Sequence, residues 1–200
     1  LFNFRLSDVD IRKFAESWPL VKGAKTKAWA INNISGGYLR NVYGLMSFSP
    51  EKNSNLHATF LFDETNVKLP EKFSPLINAS GNAELGSNHF HLNFEDGYLF
   101  SQPTNLVDIS GSSLRVLMGK NESPLMNIRL NSVASLPSTL KILKDLPEDY
   151  RISKESIPSR LEGIFFAETD ILFELGKKPS ETEVIFSTIV RINESIKDKK

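Results

Sequence analysis

Residues 77–95 read INASGNAELGSNHFHLNFE, and their two-residue rhythm decides the fold. Ile77, Ala79, Gly81, Ala83 and Leu85 alternate with Asn78, Ser80, Asn82 and Glu84. After Gly86-Ser87-Asn88, Phe90, Leu92 and Phe94 alternate with His89, His91, Asn93 and Glu95. Successive side chains of a strand point to opposite faces, so the pattern predicts two strands, each with one oily and one wet face, joined by a turn. Asp96-Gly97 has type I′ turn chemistry and predicts a second hairpin reversal.

The same period extends outward. Leu56, Ala58, Phe60 and Phe62 alternate with His57 and Thr59, with Leu61 a blemish on the polar side. Leu114, Val116 and Met118 are followed by a turn over 119–124, and then Met126, Ile128 and Leu130 alternate with Asn127, Arg129 and Asn131. Alternation resumes at 163–175 and 184–192, where Ile164, Phe166, Leu172, Ile185 and Ile189 make the second face apolar as well and predict cover on both sides. Toward the amino terminus, Ser7 with Asp10 has capping-box spacing. Ile11, Phe14, Ala15 and Trp18 recur at helical intervals until Pro19, and Ala24 to Ile34 reads as a second helix closed by Gly36-Gly37. A third helix, capped by Ser138 and carrying Leu140, Ile142 and Leu143, ends near Pro147. The expected organisation is a helical lead-in (1–35), an antiparallel meander (36–135), a helix and linker (136–158), a hairpin continuing the sheet (159–193) and a charged tail (194–200). The fold class read from this pattern is mainly β with short helices in an antiparallel sheet, either closed on itself as a barrel or β-sandwich or left partly open as an apolar groove.

Composition removes several function classes. The 200 residues carry 24 Lys+Arg against 24 Asp+Glu, so no global basic field favours phosphate backbones and no nucleic-acid partner is expected. The chain has no cysteine, which excludes disulfides, thiolate metal sites and a cysteine nucleophile. No run approaches the roughly 18 to 20 apolar residues of a spanning helix, and nothing after Leu1 resembles a signal peptide, so the chain reads as an internal piece of something longer.

Catalytic patterns find no support. His89 and His91 share a strand face at a spacing that some metal sites use, but His57 and Glu95, the nearest candidates for further ligands, are not brought into range by any sequence feature. Ser80-Gly81 and Ser110-Gly111 lie in strand or turn patterns rather than at a nucleophile elbow. Glu162, Glu168 and Asp170 fall on one wet strand face instead of across a cleft. There is no Walker loop and no dinucleotide glycine spacing. The reading is therefore not an enzyme, with no metal and no cofactor.

What remains is one-sided apolar surface, rich in phenylalanine (14 of the 20 aromatics), with few helices to cover it. The apolar strand-face residues that would line a closed core or, alternatively, an open groove are the candidates Phe60, Phe62, Ile77, Leu85, Phe90, Leu92, Phe94, Leu114, Val116, Met118, Met126, Ile128 and Leu130.

The order of features also resembles a known family. Trp18-Pro19, then Ala28-Trp29 with Ile31-Asn32-Asn33-Ile34 and Gly36-Gly37, is similar to a passage of the YhdP-like branch of the AsmA family. Leu61-Phe62-Asp63 to Leu69-Pro70, Pro75-Leu76, the Asn78-Ala79-Ser80-Gly81 strand entry, the helix Leu140 to Leu143 and the strand after Glu162-Gly163 follow in the same order, so that the resemblance covers Asp8 to Ile192. The sequence departs from the family before Ala28-Trp29, where Lys25 and Lys27 stand in a region associated with arginine. The resemblance implies a periplasmic segment of an inner-membrane-anchored envelope protein of a Gram-negative-type cell. Such a protein carries phospholipid toward the outer membrane along a β-groove, so the resemblance implies a long, twisted antiparallel sheet forming an open apolar groove, with a closed β-sandwich as the alternative. Its implied partners are phospholipid acyl chains, neighbouring segments of the same longer chain and envelope proteins at either membrane.

Overall fold

The computed structural model describes residues 1–17, 24–47, 55–69, 74–102, 105–119, 123–135, 163–175 and 185–193. The elements are β1 (Phe2–Asp10), α1 (Ile11–Ser17), α2 (Ala24–Asn33), β2 (Ile34–Ser47), β3 (Asn55–Val67), β4 (Leu76–Leu85), β5 (His89–Gln102), β6 (Asn105–Asp108), β7 (Ser113–Leu117), β8 (Leu125–Ser135), β9 (Ile164–Glu174) and β10 (Ile185–Asn193). The strands form a single sheet in chain order, every pair antiparallel, with β1 at one edge and β10 at the other. β6 and β7 are two halves of one broken strand: both lie between β5 and β8, and the turn between them is bonded to β5 through Ile109 N to Gly97 O and Gly111 N to Phe94 O, each 2.9 Å. The sheet is not a closed barrel, and no second sheet faces it among the described residues. The expected mainly-β class is what is found; the sandwich alternative is not.

Local chemistry at the amino terminus is read differently by the fold. Phe2–Asp10 is a strand rather than part of a helical lead-in, because Phe2, Phe4 and Leu6 pair with Met46, Gly44 and Val42 along β2. Asp10, not Ser7, caps the helix: the Lys13 N–H donates to Asp10 Oδ1 at 2.9 Å. α1 then lays Ile11 and Ala15 against the sheet. Asp96-Gly97 does not reverse the chain. β5 runs straight through it, because β4 continues alongside and Leu76 pairs with Leu99 beyond it. The helix and linker expected over 136–158, Trp18-Pro19 and the tail 194–200 lie outside the described residues.

A diagonal of bulges shapes the sheet. Asn41, Glu64 and Asn78 each have φ of 50°, in the left-handed region that most side chains avoid. At each, one strand takes three residue steps against two on its neighbour: Arg40 to Tyr43 opposite Leu61 to Thr59, Phe62 to Thr65 opposite Gly81 to Ala79, and Ile77 to Ser80 opposite Tyr98 to Asp96. An inserted residue bends the strand and resets the alternation. Buried side chains therefore come three apart on these strands: Leu39 with Val42, Phe62 with Thr65, Leu76 with Ala79. The core follows this diagonal and continues through Val107, Ile109 and Ala134, with Ile11 closing it from α1.

Two substitutions test the geometry. The backbone bonds around Glu64 (its N–H to Asp63 Oδ1, its carbonyl to Asn66 Nδ2) need no Glu64 side chain, so Glu64→Gly leaves thermal stability unchanged or raised. Glu64→Val puts a β-branched side chain at the same positive φ, which tolerates it less than Glu, and should lower the melting temperature. A Cβ on Gly81 would lie 1.9 Å from the Asn93 carbonyl oxygen and 2.8 Å from Phe62 Cζ, and Gly81→Ala costs about 3 kcal/mol in denaturant unfolding.

Candidate functional site

The register places apolar residues in rows that run across the strands. One row passes from Phe4 to Gly44, Ala58, Leu85, Phe90, Val116, Met126 and Phe173, each paired with the next on the neighbouring strand. A second passes from Phe60 through Ala83, Leu92, Leu114 and Ile128 to Ile171. A third holds Leu39, Phe62, Gly81 and Phe94. The first row crosses eight strands, and at ~4.8 Å per step it is about 34 Å long.

Burial grades across these rows. In the third, Phe62 is 5% exposed and meets Phe94 edge-on, ring centroids 5.8 Å apart at 83°. The open ring position above Gly81 is what lets Phe62 settle there. In the first and second rows Leu85, Phe90, Leu92, Leu114, Val116, Met126, Ile128, Ile171 and Phe173 are half-buried. Phe60, Leu92, Phe94 and Leu130 pack on the flank of the buried cluster. The result is a trough: a dry wall along the bulge diagonal and, beside it, two rows of half-covered apolar side chains.

Twelve of the thirteen candidate groove residues thus fall on or beside the apolar face, with Met118 half-buried just past β7 and its N–H bonded to Asn88 O. Ile77 is the correction. The extra residue at Asn78 puts Leu76 on the buried face with Ala79 and turns Ile77 to the other, beside Tyr98. Ile77 alone is out of phase, because it lies on the far side of the bulge from Ala79, Gly81, Ala83 and Leu85, whose alternation holds. The sequence reading also omits Phe4, Leu6, Leu39, Val42, Leu99 and Val107, all within or packed against the core. The Phe2-Phe4-Leu6 alternation is a signal that could have found β1.

The opposite face carries charged pairs and amide contacts among exposed apolar side chains such as Leu45, Leu61, Val133, Ile164, Ile185 and Ile189. Arg40 lies 2.8 Å from Asp63 and 3.7 Å from Asp8, tying β1, β2 and β3 together. Arg129 meets Asp170 at 3.1 Å. Asn82 donates to Glu95 and accepts from Asn93 at 3.2 and 2.9 Å. His57 and His89, from β3 and β5, converge on one oxygen of Glu84 on β4, Nε2 to Oε1 3.1 and 3.3 Å. It is His57 that joins His89 here, a contact across 32 residues that spacing could not show. The hydrogen bonds from His57 and then His89 hold the Glu84 carboxyl below its usual range. Asp96 foremost, with burial and Asp108 behind it, pushes the Tyr98 phenol up. Among the described residues no group of three His, Cys, Asp or Glu side chains is arranged to hold a metal ion. Glu168 and Asp170 lie exposed on β9, Asp170 tied to Arg129; Glu162 is outside the described residues. Ser110 serves its turn, its N–H and hydroxyl both donating to Asp108 Oδ1.

No protein-family model, curated protein or solved structure matches this chain. Among the described residues no helix is long and apolar enough to cross a membrane.

Because the folded-state carboxyl of Glu84 is depressed, its stabilisation is present above the unfolded value and is lost as pH falls through the folded one. Glu84→Gln should therefore lower stability at neutral pH and flatten the acid limb of a circular-dichroism titration through the carboxylate range.

Proposed function

We propose that this chain is a lipid-carrying length of trough: a segment that shields acyl chains from water along one apolar sheet face and makes no covalent bond. The observation that carries the reading is the pair of half-covered apolar rows crossing an open sheet. Their direction matters. An acyl chain lying along a row meets one apolar side chain per strand step, while charged and amide groups stay on the far face in solvent. Burying a methylene is worth about 0.8 kcal/mol, so a continuous oily path removes most of the cost of moving a two-chain lipid through water. Passive transfer of this kind needs no acid, base or nucleophile.

The resemblance to the YhdP-like branch of the AsmA family adds the setting. In it this segment belongs to a periplasmic, inner-membrane-anchored protein that carries phospholipid between the inner and outer membranes. Neighbouring lengths of the same chain would extend the trough, and envelope proteins would meet it at either membrane.

Photo-crosslinking separates trough from wet face. A photoreactive residue at Leu92 should capture phospholipid in cells and one at His91, the next residue on the opposite face, should not. Purified protein should carry co-extracted phospholipid, and Leu92→Glu should reduce it by about tenfold, the effect of a buried charge worth at least ~1.4 kcal/mol. Equal capture at both positions, or none at Leu92, would sink the reading.

A further inference from the structure

The face away from the trough carries a hollow over its first three strands. It lies above Tyr43 and Leu45 of β2, with Asn3 and Arg5 of β1 as one wall and His57 and Thr59 of β3 as the other, and measures about 380 Å³. That is the small end of the range for small-molecule sites. Register fixes the grouping: Arg5 pairs with Tyr43 and Tyr43 with Thr59, while Asn3 pairs with Leu45 and Leu45 with His57. A further strand beside β1 would lie beyond the wall of Asn3 and Arg5 and leave the hollow as it is.

The charges are arranged for an anion. Among the described residues Arg12, Arg40 and Arg129 each meet a carboxylate, but Arg5 meets none and stands over the Tyr43 ring, its Cζ 4.9 Å from the centroid. Stacking turns the guanidinium inward over β2 and holds its planar fork of donors ready. Opposite it, His57 Nε2 is bonded to Glu84 Oε1 at 3.1 Å. Because a carboxylate only accepts, Nε2 is the nitrogen that carries hydrogen there, and Nδ1 is left for a ligand. The acid behind this wall is already engaged, since His89 bonds the same Glu84 oxygen at 3.3 Å. Thr59 adds a hydroxyl, Asn3 an amide and Leu45, 42% exposed, an apolar floor.

We propose that this hollow binds the phosphate group of a soluble phosphomonoester. Arg5 takes two phosphate oxygens through its fork, Thr59 and His57 Nδ1 take the third, and the organic group rests on Leu45. A carboxylate presents its oxygens along one edge and would engage one wall, whereas the three oxygens of a phosphate reach both. His57 Nδ1 and the phosphate share one proton, whichever carries it, because the second pKa of a monoester is about 6. The thickness of the sheet separates the hollow from the trough, so a lipid lying there does not present its phosphate here. The site stands whether or not the trough carries lipid.

Amide shifts followed by NMR test the site, with phenyl phosphate as the probe. It should move the amides of residues 3–5, 43–45 and 57–59 saturably and bind more tightly than inorganic phosphate. Arg5→Gln should weaken binding about tenfold and Arg5→Lys, which keeps the charge without the fork, by less. Should Arg5→Gln disturb β1 itself, Tyr43→Leu removes the stacking platform while keeping Arg5, and a loss is expected there too. Arg115→Gln, at an exposed arginine of β7 on the same face, should leave binding unchanged. So should Leu92→Glu, which separates this site from the trough. No saturable shift at these amides, equal weakening by Arg5→Gln and Arg115→Gln, or a response to vesicles containing phosphatidic acid but not to phenyl phosphate would overturn the proposal.

Discussion

A sheet with one apolar face and almost no second layer has to bury that face against itself. Here the constraint is met at Asn41, Glu64 and Asn78, where three neighbouring strands each spend an extra residue in a left-handed conformation. Each insertion bends its strand and brings two buried side chains to one side at a spacing of three. The bends fall on a diagonal, so they add. Leu39, Val42, Phe62, Leu76 and Ala79 become a continuous core, and α1 needs to close only one end of it. The dipeptide costs of the three φ values, of order 1–2 kcal/mol each, are offset by burial that a flat sheet could not achieve.

Side-chain size along the rows follows from the same bending. Gly44 has no Cβ because the Phe4 ring occupies that space, with its nearest carbon 2.0 Å from where the Cβ would lie. Gly81 gives way to Phe62 in the same manner, and Ala58 and Ala83 are the buried small residues between their larger neighbours. Large beside small lets the curved face fill without voids on the bulge side. Farther along the ladder, from β5 to β9, the rows carry Phe, Leu, Met, Val and Ile at half-burial.

Alternation made most of this legible. The strands around residues 77–95 and their oily faces follow directly from the two-residue period, as do β8, β9 and β10. What periodicity cannot see is a phase change. Asn78 resembles any other polar residue between Ile77 and Ala79, and only the neighbouring ladders show that it is an insertion. The same holds at Asp96-Gly97, where turn chemistry is real locally, Gly97 N bonding to Asp96 Oδ1 at 2.7 Å, yet pairing on both sides carries the strand onward. β1 was hidden by helix-like spacing at Ser7 and Asp10, and its pairing partners lie 28 to 44 residues away in β2. The His57–Glu84–His89 cluster is likewise a product of register, since three strands must align before the imidazoles share one carboxylate oxygen.

Division of the two faces also limits what the trough can discriminate. Apolar contact is non-directional and scales with area, at about 25 cal/mol per Å². Half-covered rows therefore leave a standing free-energy gain for any apolar chain laid along them, whatever its chemistry at either end. Directional groups sit elsewhere: Glu84 with its two histidines, Arg40 with its two aspartates and Arg129 with Asp170 all point from the opposite side of the same strands. Separated from the rows by the thickness of the sheet, they cannot hydrogen-bond a ligand lying in the trough. On the lipid-carrying proposal, the described face would select for length and apolarity, and any choice among polar headgroups would have to be made where the proposed cargo enters or leaves.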